Sequence, residues 1–260
     1  MYESDHKAWV RYAPPRWIWS GTAICGIPSE VSAAMMHGWH GHNGVSLGNQ
    51  RLGFVCTGQT VDGQPGLEGY FYEYDHELSP DERVRFARDE QAPDFDPTQA
   101  PILDSATWPH VRLMKVERSY AMEYLRSAMP EMIALFGPAE ARFLFGHTST
   151  LIGMQFYDET AALLGVTPGE ASTFADYMLA LARAQGEKIE RLDEGGEILL
   201  RLHGWRLMDD VTHNEVAFEA WNCLWEGALS VHNRRLRLEV TQRMDRGDDC
   251  FEWRIRQKEA

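Results

Sequence analysis

The sequence predicts an α+β fold: an antiparallel sheet with helices packed on one face, preceded by an aromatic-rich β/loop N-terminal extension. Three observations carry this. From residue 111 apolar side chains recur at helical spacing between Pro and Gly breakers. Two alternating runs, around "DEGG" and around "DRGDD", read as antiparallel hairpins. The first hundred residues instead break into short aromatic or β-branched runs separated by Gly, Pro, Asp and Asn. The division falls near residue 105, with 1–105 as the extension covering a pocket and 106–260 as the α+β domain.

In the extension, "WIWSGTAICGI", "VSLGNQRLGFVCTG" and "LEGYFYEYDHEL" read as strands or extended loops. "SPDERVRFARDEQ" opens on a Ser-Pro start signal and reads as one helix, and the Pro- and Asp-rich "APDFDPTQAPILDSATWPH" as the connector. "VERSYAMEYLRSAM" runs as a helix to Pro130, which starts a new one at its first turn. Pro138 opens a longer helix with Phe145, Ile152, Phe156 and Ala162/Leu163 as its apolar stripe and Gly165 as its C-cap. Thr167 as N-cap, Pro168 at the first helical position and Glu170 at the third begin the helix that Gly186 ends. A hairpin over 187–207, a helix through "NEVAFEAWNCLWEGALS" and a second hairpin complete the order. In the last strand Phe251, Trp253 and Ile255 share the core face, and Cys250, Glu252, Arg254 and Arg256 the polar one.

A formal net charge of −14 and a pI near 5.1 argue against binding a phosphate backbone, which needs clustered Lys and Arg. The expected partners are a small-molecule substrate and further copies of the chain in a homo-oligomer, with no nucleic acid and no membrane. No stretch approaches eighteen apolar residues, and the N-terminus lacks the apolar region of a signal peptide. Cys25, Cys56, Cys223 and Cys250 are too scattered for a disulfide framework, so a reducing cytoplasmic compartment is expected. There is no Walker-type loop, Gly-x-Gly-x-x-Gly turn, Gly-x-Ser-x-Gly elbow or His-Glu-x-x-His, which disfavours a nucleotide cofactor and a common serine hydrolase.

A helix carrying Cys223 followed by "RLRLEVTQRMDRGDDCFEW" resembles the C-terminal signature of the L-2-amino-thiazoline-4-carboxylate hydrolase-like group. It is also similar to the 4-vinyl reductase-type small-molecule-binding domains. The resemblance spans roughly residues 115–257. Likeness to the hydrolase-like group implies a soluble enzyme acting on a small heterocyclic or amide substrate, and likeness to the second group a ligand-binding sensor. In phenol-sensing relatives a zinc site sits at this hairpin, and the matching positions here are Glu239, Gln242 and Cys250, with Cys223 on the preceding helix. Gln242 stands where a thiolate is required, and Gln is a poor zinc ligand, so the resemblance does not carry an intact site.

Other residues attract attention for their chemistry. "MMHGWHGHNG" holds His37, His40 and His42 in a Gly-rich stretch, a set able to ligate a divalent metal or to line a metal-free pocket as general bases. Tyr70, Tyr72 and Tyr74 fall on one strand face, where Tyr72 could serve as an acid and Tyr70 and Tyr74 could hold an aromatic substrate. Trp39, with Trp9, Trp17 and Trp19, adds to an unusually aromatic N-terminal part. His147 lies on the long helix, with Tyr157 and Asp158 about three turns away, and is a general-base candidate. His203 shares a strand face with Leu199, Arg201 and Trp205 and could point into the same space.

These observations lead to the expectation of an enzyme that hydrolyses or otherwise cleaves a small aromatic or heterocyclic molecule by acid–base chemistry. It would use either no cofactor or a divalent metal. The alternative is a sensor for such a ligand, acting through a separate partner because no output module is recognisable.

Overall fold

The computed structural model describes residues 2–3, 6–12, 29–94, 96, 98, 102–195, 197–208 and 215–258. The architecture is α+β, as predicted, and the chain forms two compact units, Met1–Thr107 and Trp108–Ala260. Trp17, Trp19 and Cys25 lie outside the described residues. Among the described residues no helix is long and apolar enough to cross a membrane.

The first unit is built on a five-stranded sheet. Its strands are β1 (Tyr2–Glu3), β2 (Lys7–Tyr12), β3 (Leu52–Gly58), β4 (Leu67–Glu73) and β5 (Val84–Phe86), in the order β1-β2-β4-β3-β5. All pairings are antiparallel except β3 with β5. β5 replaces part of the helix expected over 79–91. Ser79 and Glu82 do form a capping box, but it opens a single 3-10 turn, and Val84 then joins the sheet, where it is buried. Val84 gains more from a buried place on the sheet face than from an exposed helix.

The predicted His- and Gly-rich loop is largely helical: α1 spans Ser29–Trp39 and a short α2 spans Asn43–Ser46. Ser32, Met36 and His40 recur every four residues and are buried against the sheet, which supplies the periodicity that the glycines obscure. The glycines serve close approach instead. A Cβ on Gly41 would lie 2.9 Å from a Val84 methyl, and one on Gly44 would lie 2.5 Å from the Leu52 carbonyl oxygen. Met36 packs with Val10, Phe54, Cys56, Leu67 and Val84, while Trp9, Val55, Tyr70 and Ala87 cluster on the other side of the sheet.

The second unit holds four helices and a four-stranded antiparallel sheet. The helices are α3 (His110–Phe136), α4 (Pro138–Leu163), α5 (Ala171–Ala184) and α6 (Glu215–His232). The strands are β6 (Ile189–Glu194), β7 (Glu197–Leu202), β8 (Leu236–Gln242) and β9 (Phe251–Gln257), ordered β6-β7-β9-β8. Both expected hairpins are present. Pro130 does not start a helix but lies within α3. Glu170, in extended conformation and without a side-chain cap, takes the N-cap position expected of Thr167, so α5 starts at Ala171.

Helix α6 is buried on both sides. Phe218 stacks on Phe251 with ring centroids 4.5 Å apart, and Trp221 and Trp253 join them against the sheet. The Trp253 indole donates to the Asn222 side-chain oxygen at 2.8 Å, which satisfies the ring's polar atom inside the core. The opposite side of α6 packs on α4. There Ala141, Gly146, Gly153, Tyr157 and Ala161 are the buried residues, not the expected Phe145–Ile152–Phe156–Leu163 stripe, of which Ile152 and Leu163 are exposed. The two backbones nearly touch: a Cβ on Gly153 would sit 2.1 Å from the Leu224 carbonyl oxygen, and one on Gly227 2.3 Å from that of Thr150.

A Gly153→Ala substitution is therefore expected to destabilise the second unit by about 2 kcal/mol or more, although Ala favours a helix over Gly by about 1 kcal/mol. Gly38→Ala, where an added methyl meets nothing within 4 Å, should not destabilise. Urea unfolding of both variants checks the contrast, and equal stabilities for Gly153→Ala and wild type would refute it.

Candidate functional site

The three clustered histidines do not converge. His37 and His42 are exposed, and His40 is buried among aromatic rings. The His40 centroid lies 4.4 Å from that of Phe54, 6.0 Å from Phe71 and 5.6 Å from Tyr12. Burial drives the His40 pKa from 6.5 down to about 4, so its ring is a neutral member of the apolar layer. Trp39 is half-buried beside it at the end of α1. Among the described residues no three His, Cys, Asp or Glu side chains are grouped so as to hold a metal ion.

Two of the three tyrosines, Tyr72 and Tyr74, border a cleft. Where β2 and β3 begin and β4 ends, this cleft of about 550 Å³ opens, lined by Lys7 and Arg51, by the carboxylates Glu73 and Asp75, and by Phe71, Tyr72 and Tyr74 among others. Strand alternation puts Tyr70 and Tyr72 on one side, and the chain carries Tyr74 on beyond the strand. The Tyr72 and Tyr74 rings meet edge to face at 4.9 Å. Arg51 pairs with Glu73 across the β3–β4 register, and Asp75 accepts from His76 at 2.7 Å when that ring nitrogen is protonated.

Behind Tyr72 lies a charged cluster. Cross-strand pairing sets Lys7 opposite Tyr72 and Trp9 opposite Tyr70. The Lys7 ammonium sits 3.9 Å above the Tyr70 ring and 3.1 Å from Glu90. Glu90 also accepts from the Tyr70 hydroxyl at 2.8 Å and from Arg85 at 2.9 Å. The Tyr70 hydrogen bond contributes most to holding the Glu90 carboxyl below its ordinary range, with Arg85 and Lys7 adding to it against burial. Burial opposes the charge on Lys7, but its hydrogen bonds to Glu90 and Tyr70 outweigh that and raise its pKa. Lys7, Arg85 and Glu90 escaped the sequence reading. The sheet register that gathers them is non-local, and only the alternation of Lys7 with Trp9 hinted at it.

In the second unit the singled-out residues are dispersed. His147 is exposed on α4 and stacks on Phe143, with centroids 6.0 Å apart. His203 points outward rather than between sheet and helices: it is exposed just past β7 and contacts Glu190 at 2.9 Å. Tyr157 is fully buried. Its hydroxyl donates to His232 Nδ1 at 2.5 Å, and His232 Nε2 donates to the Glu170 carbonyl oxygen at 2.8 Å. Burial raises Tyr157 to about 12 and lowers His232, so both are neutral and the contact ties α4, the start of α5 and the end of α6 together.

The hairpin that carries the family resemblance is closed without metal ligands meeting. Gly247 takes φ +99°, and Asp248 accepts the Arg243 backbone N–H at 2.6 Å, which accounts for the Gly-Asp turn. Arg243 reaches Glu219 at 3.2 Å and lies 4.6 Å over the Phe218 ring, so it anchors the turn to α6. Cys250 is buried and donates its thiol to the Gln242 side-chain oxygen at 3.3 Å. Glu239 instead pairs with Arg256 at 3.1 Å, and Cys223 donates to the Glu219 carbonyl oxygen at 3.3 Å. Burial pushes the Cys223 and Cys250 thiols up, and Cys56 to about 11, which is unsuited to a nucleophile.

No family model matches this chain. No curated protein matches it either. Among solved structures it is similar to the crystal structure of a trafficking protein particle complex subunit 3 from Naegleria fowleri covalently bound to palmitic acid. The two share 20% identity with a TM-score of 0.44, over 56% of this chain and 97% of that one.

His40 makes the first unit sensitive to acid. The unfolded chain protonates near 6.5 and the folded one only near 4, so the stability from this group is complete above about pH 6.5. It is lost as the pH falls toward 4, by roughly 3 kcal/mol in all. A His40→Phe variant should lose less stability between pH 7 and pH 4 than wild type in urea unfolding. An equal loss in both would show that the ring is not the cause.

Proposed function

We propose that the protein binds a small, flat aromatic or heterocyclic molecule bearing an acid group in the cleft at the end of the first sheet. The observation that supports this reading is the edge-to-face Tyr72–Tyr74 pair beside Lys7 and Arg51 in a space of about 550 Å³. That volume suits a drug-sized ligand, and aromatic walls with a few fixed charges are how such sites orient one. The ring of the ligand stacks on the tyrosines, and its acid group meets the cationic side chains.

A second reading, a hydrolase or lyase working by acid–base chemistry, draws on one further observation. Tyr70, Glu90 and Lys7 form a hydrogen-bonded phenol, carboxylate and ammonium next to the cleft, a chain along which a proton can move. In this reading Tyr72 is the group nearest the ligand that can donate a proton. A sensor holds the same ligand and releases it unchanged.

Titration calorimetry with a panel of aromatic carboxylates and their uncharged analogues tests the binding. The charged members are expected to bind, and Tyr72→Ala or Lys7→Met should weaken them at least about tenfold, the effect of losing one stacking or charged contact. His203→Ala, on the second unit, serves as the neutral control. No binding by any member, or binding indifferent to Tyr72, removes the proposal. Mass spectrometry of the bound compound after incubation separates turnover from storage.

A further inference from the structure

Beyond Phe86 the chain leaves β5 and crosses the outer face of the first sheet. Ala87 is buried there with Trp9, Val55 and Tyr70, and the partly buried Ala92 packs against the same cluster. Between them Glu90 is held by side chains from three strands. Its carboxylate accepts from the Lys7 ammonium of β2 at 3.1 Å, from the Tyr70 hydroxyl of β4 at 2.8 Å and from the Arg85 guanidinium of β5 at 2.9 Å. Arg85 also donates to the Tyr70 hydroxyl at 3.1 Å, which links the donors to one another. Strand pairing fixes all three donors, whereas residues 87–94 take up neither helix nor strand. The seat is reachable from water: the Lys7, Glu90 and Arg85 side chains are 34%, 30% and 52% exposed.

An ammonium, a guanidinium and a hydroxyl converging on one carboxylate make a built site for an acid group, because hydrogen bonds from charged donors are the strong ones. Here the occupant belongs to a loop of the same chain. We propose that Glu90 is an internal stand-in for the ligand's acid group. A small aromatic carboxylate in the cleft takes its place on Lys7, Tyr70 and Arg85, and the loop beyond Ala87 lets go of the sheet. The class of ligand rests on the cleft-binding reading above. Three observations support the exchange. Lys7 belongs to both places, since it lines the cleft and holds Glu90. Tyr72 lies on the face of β4 that carries Tyr70, two residues or about 7 Å along the strand, where the ring of such an acid can rest. The loop's other ties are weak: the exposed Arg88 pairs with Asp62 at 2.8 Å, and the Ala92 N–H reaches Glu68 at 3.4 Å.

Titration calorimetry with benzoate tests the exchange on the full chain, with circular dichroism as the check on folding. Glu90→Gln keeps the shape of the side chain and gives up its charge. The seat then stands open, and benzoate should bind at least about tenfold more tightly than to wild type. Benzyl alcohol, which has the ring without the acid, should gain nothing. Glu73→Gln removes another carboxylate from the same cleft, one that pairs with Arg51. An equal gain there would put the acid group at Arg51 and overturn the proposal. A second readout needs no variant. Saturating benzoate should speed cleavage of wild type after Glu90 by a glutamate-specific protease, relative to cleavage after the exposed Glu77, because the freed carboxylate is what that protease recognises. Unchanged cleavage with benzoate bound means that Glu90 keeps its seat, and the proposal falls. Equal binding by wild type and Glu90→Gln also overturns it, while the cleft reading stands. Binding by Glu90→Gln alone upholds Glu90 as the occupant of an acid site and removes the reading for wild type. Binding by neither removes both.

Discussion

Most of the second unit depends on how closely α4 approaches α6. Gly153 and Gly227 remove the side chains that would hold the two backbones apart, and each faces a carbonyl oxygen of the other helix. The close crossing makes α6 an inner layer, with α4 on one side and the aromatic face of the sheet on the other. It also brings Tyr157 within reach of His232, so that a buried phenol and a buried imidazole satisfy each other. A bulkier residue at either glycine would push the two backbones apart and strain the Tyr157–His232 contact as well.

In the first unit one sheet has two chemically different faces. The face under α1 is apolar throughout, and His40 belongs to it as a neutral ring stacked on Phe54. The opposite face carries Lys7, Tyr70, Tyr72, Arg85 and Glu90, charges that sit on aromatic rings or hydrogen-bond to one another. These charges stay partly in water, and each has an opposite partner. The cleft lies where this face reaches the strand ends, so ligand contacts draw on groups already fixed by the sheet.

The sequence revealed the fold where local signals agree with tertiary demand. Both hairpins, the core face of β9 and the helix from Pro138 follow from alternation, turn residues and punctuation. It misled where one residue type serves an unusual end. His40 reads as a ligand but fills a slot in an apolar layer, and Gly41 and Gly44 read as a flexible loop but allow a helix end to touch strands. Along α4 the apolar pattern was visible, but its inward side could not be inferred, since that side is set by the glycines on α6. The tyrosine face was legible from alternation alone. Its charged neighbours were not, because Lys7 reaches Glu90 across a sequence separation of 83 residues.

The strand order of the second unit has a consequence for how the chain comes to be folded during synthesis. Of the four strands of this sheet β9 is made after the other three, yet it lies inside, hydrogen-bonded to β7 on one side and β8 on the other. Until residue 257 has cleared the ribosome, β7 has an open edge, β8 has no partner, and Phe218 and Trp221 have no Phe251 or Trp253 to cover them. The first unit contains its own sheet and can form while the rest is still being translated. The second must keep an apolar helix and two unpaired strand edges from other chains until its final strand slides into place, and that interval is when it is most open to aggregation.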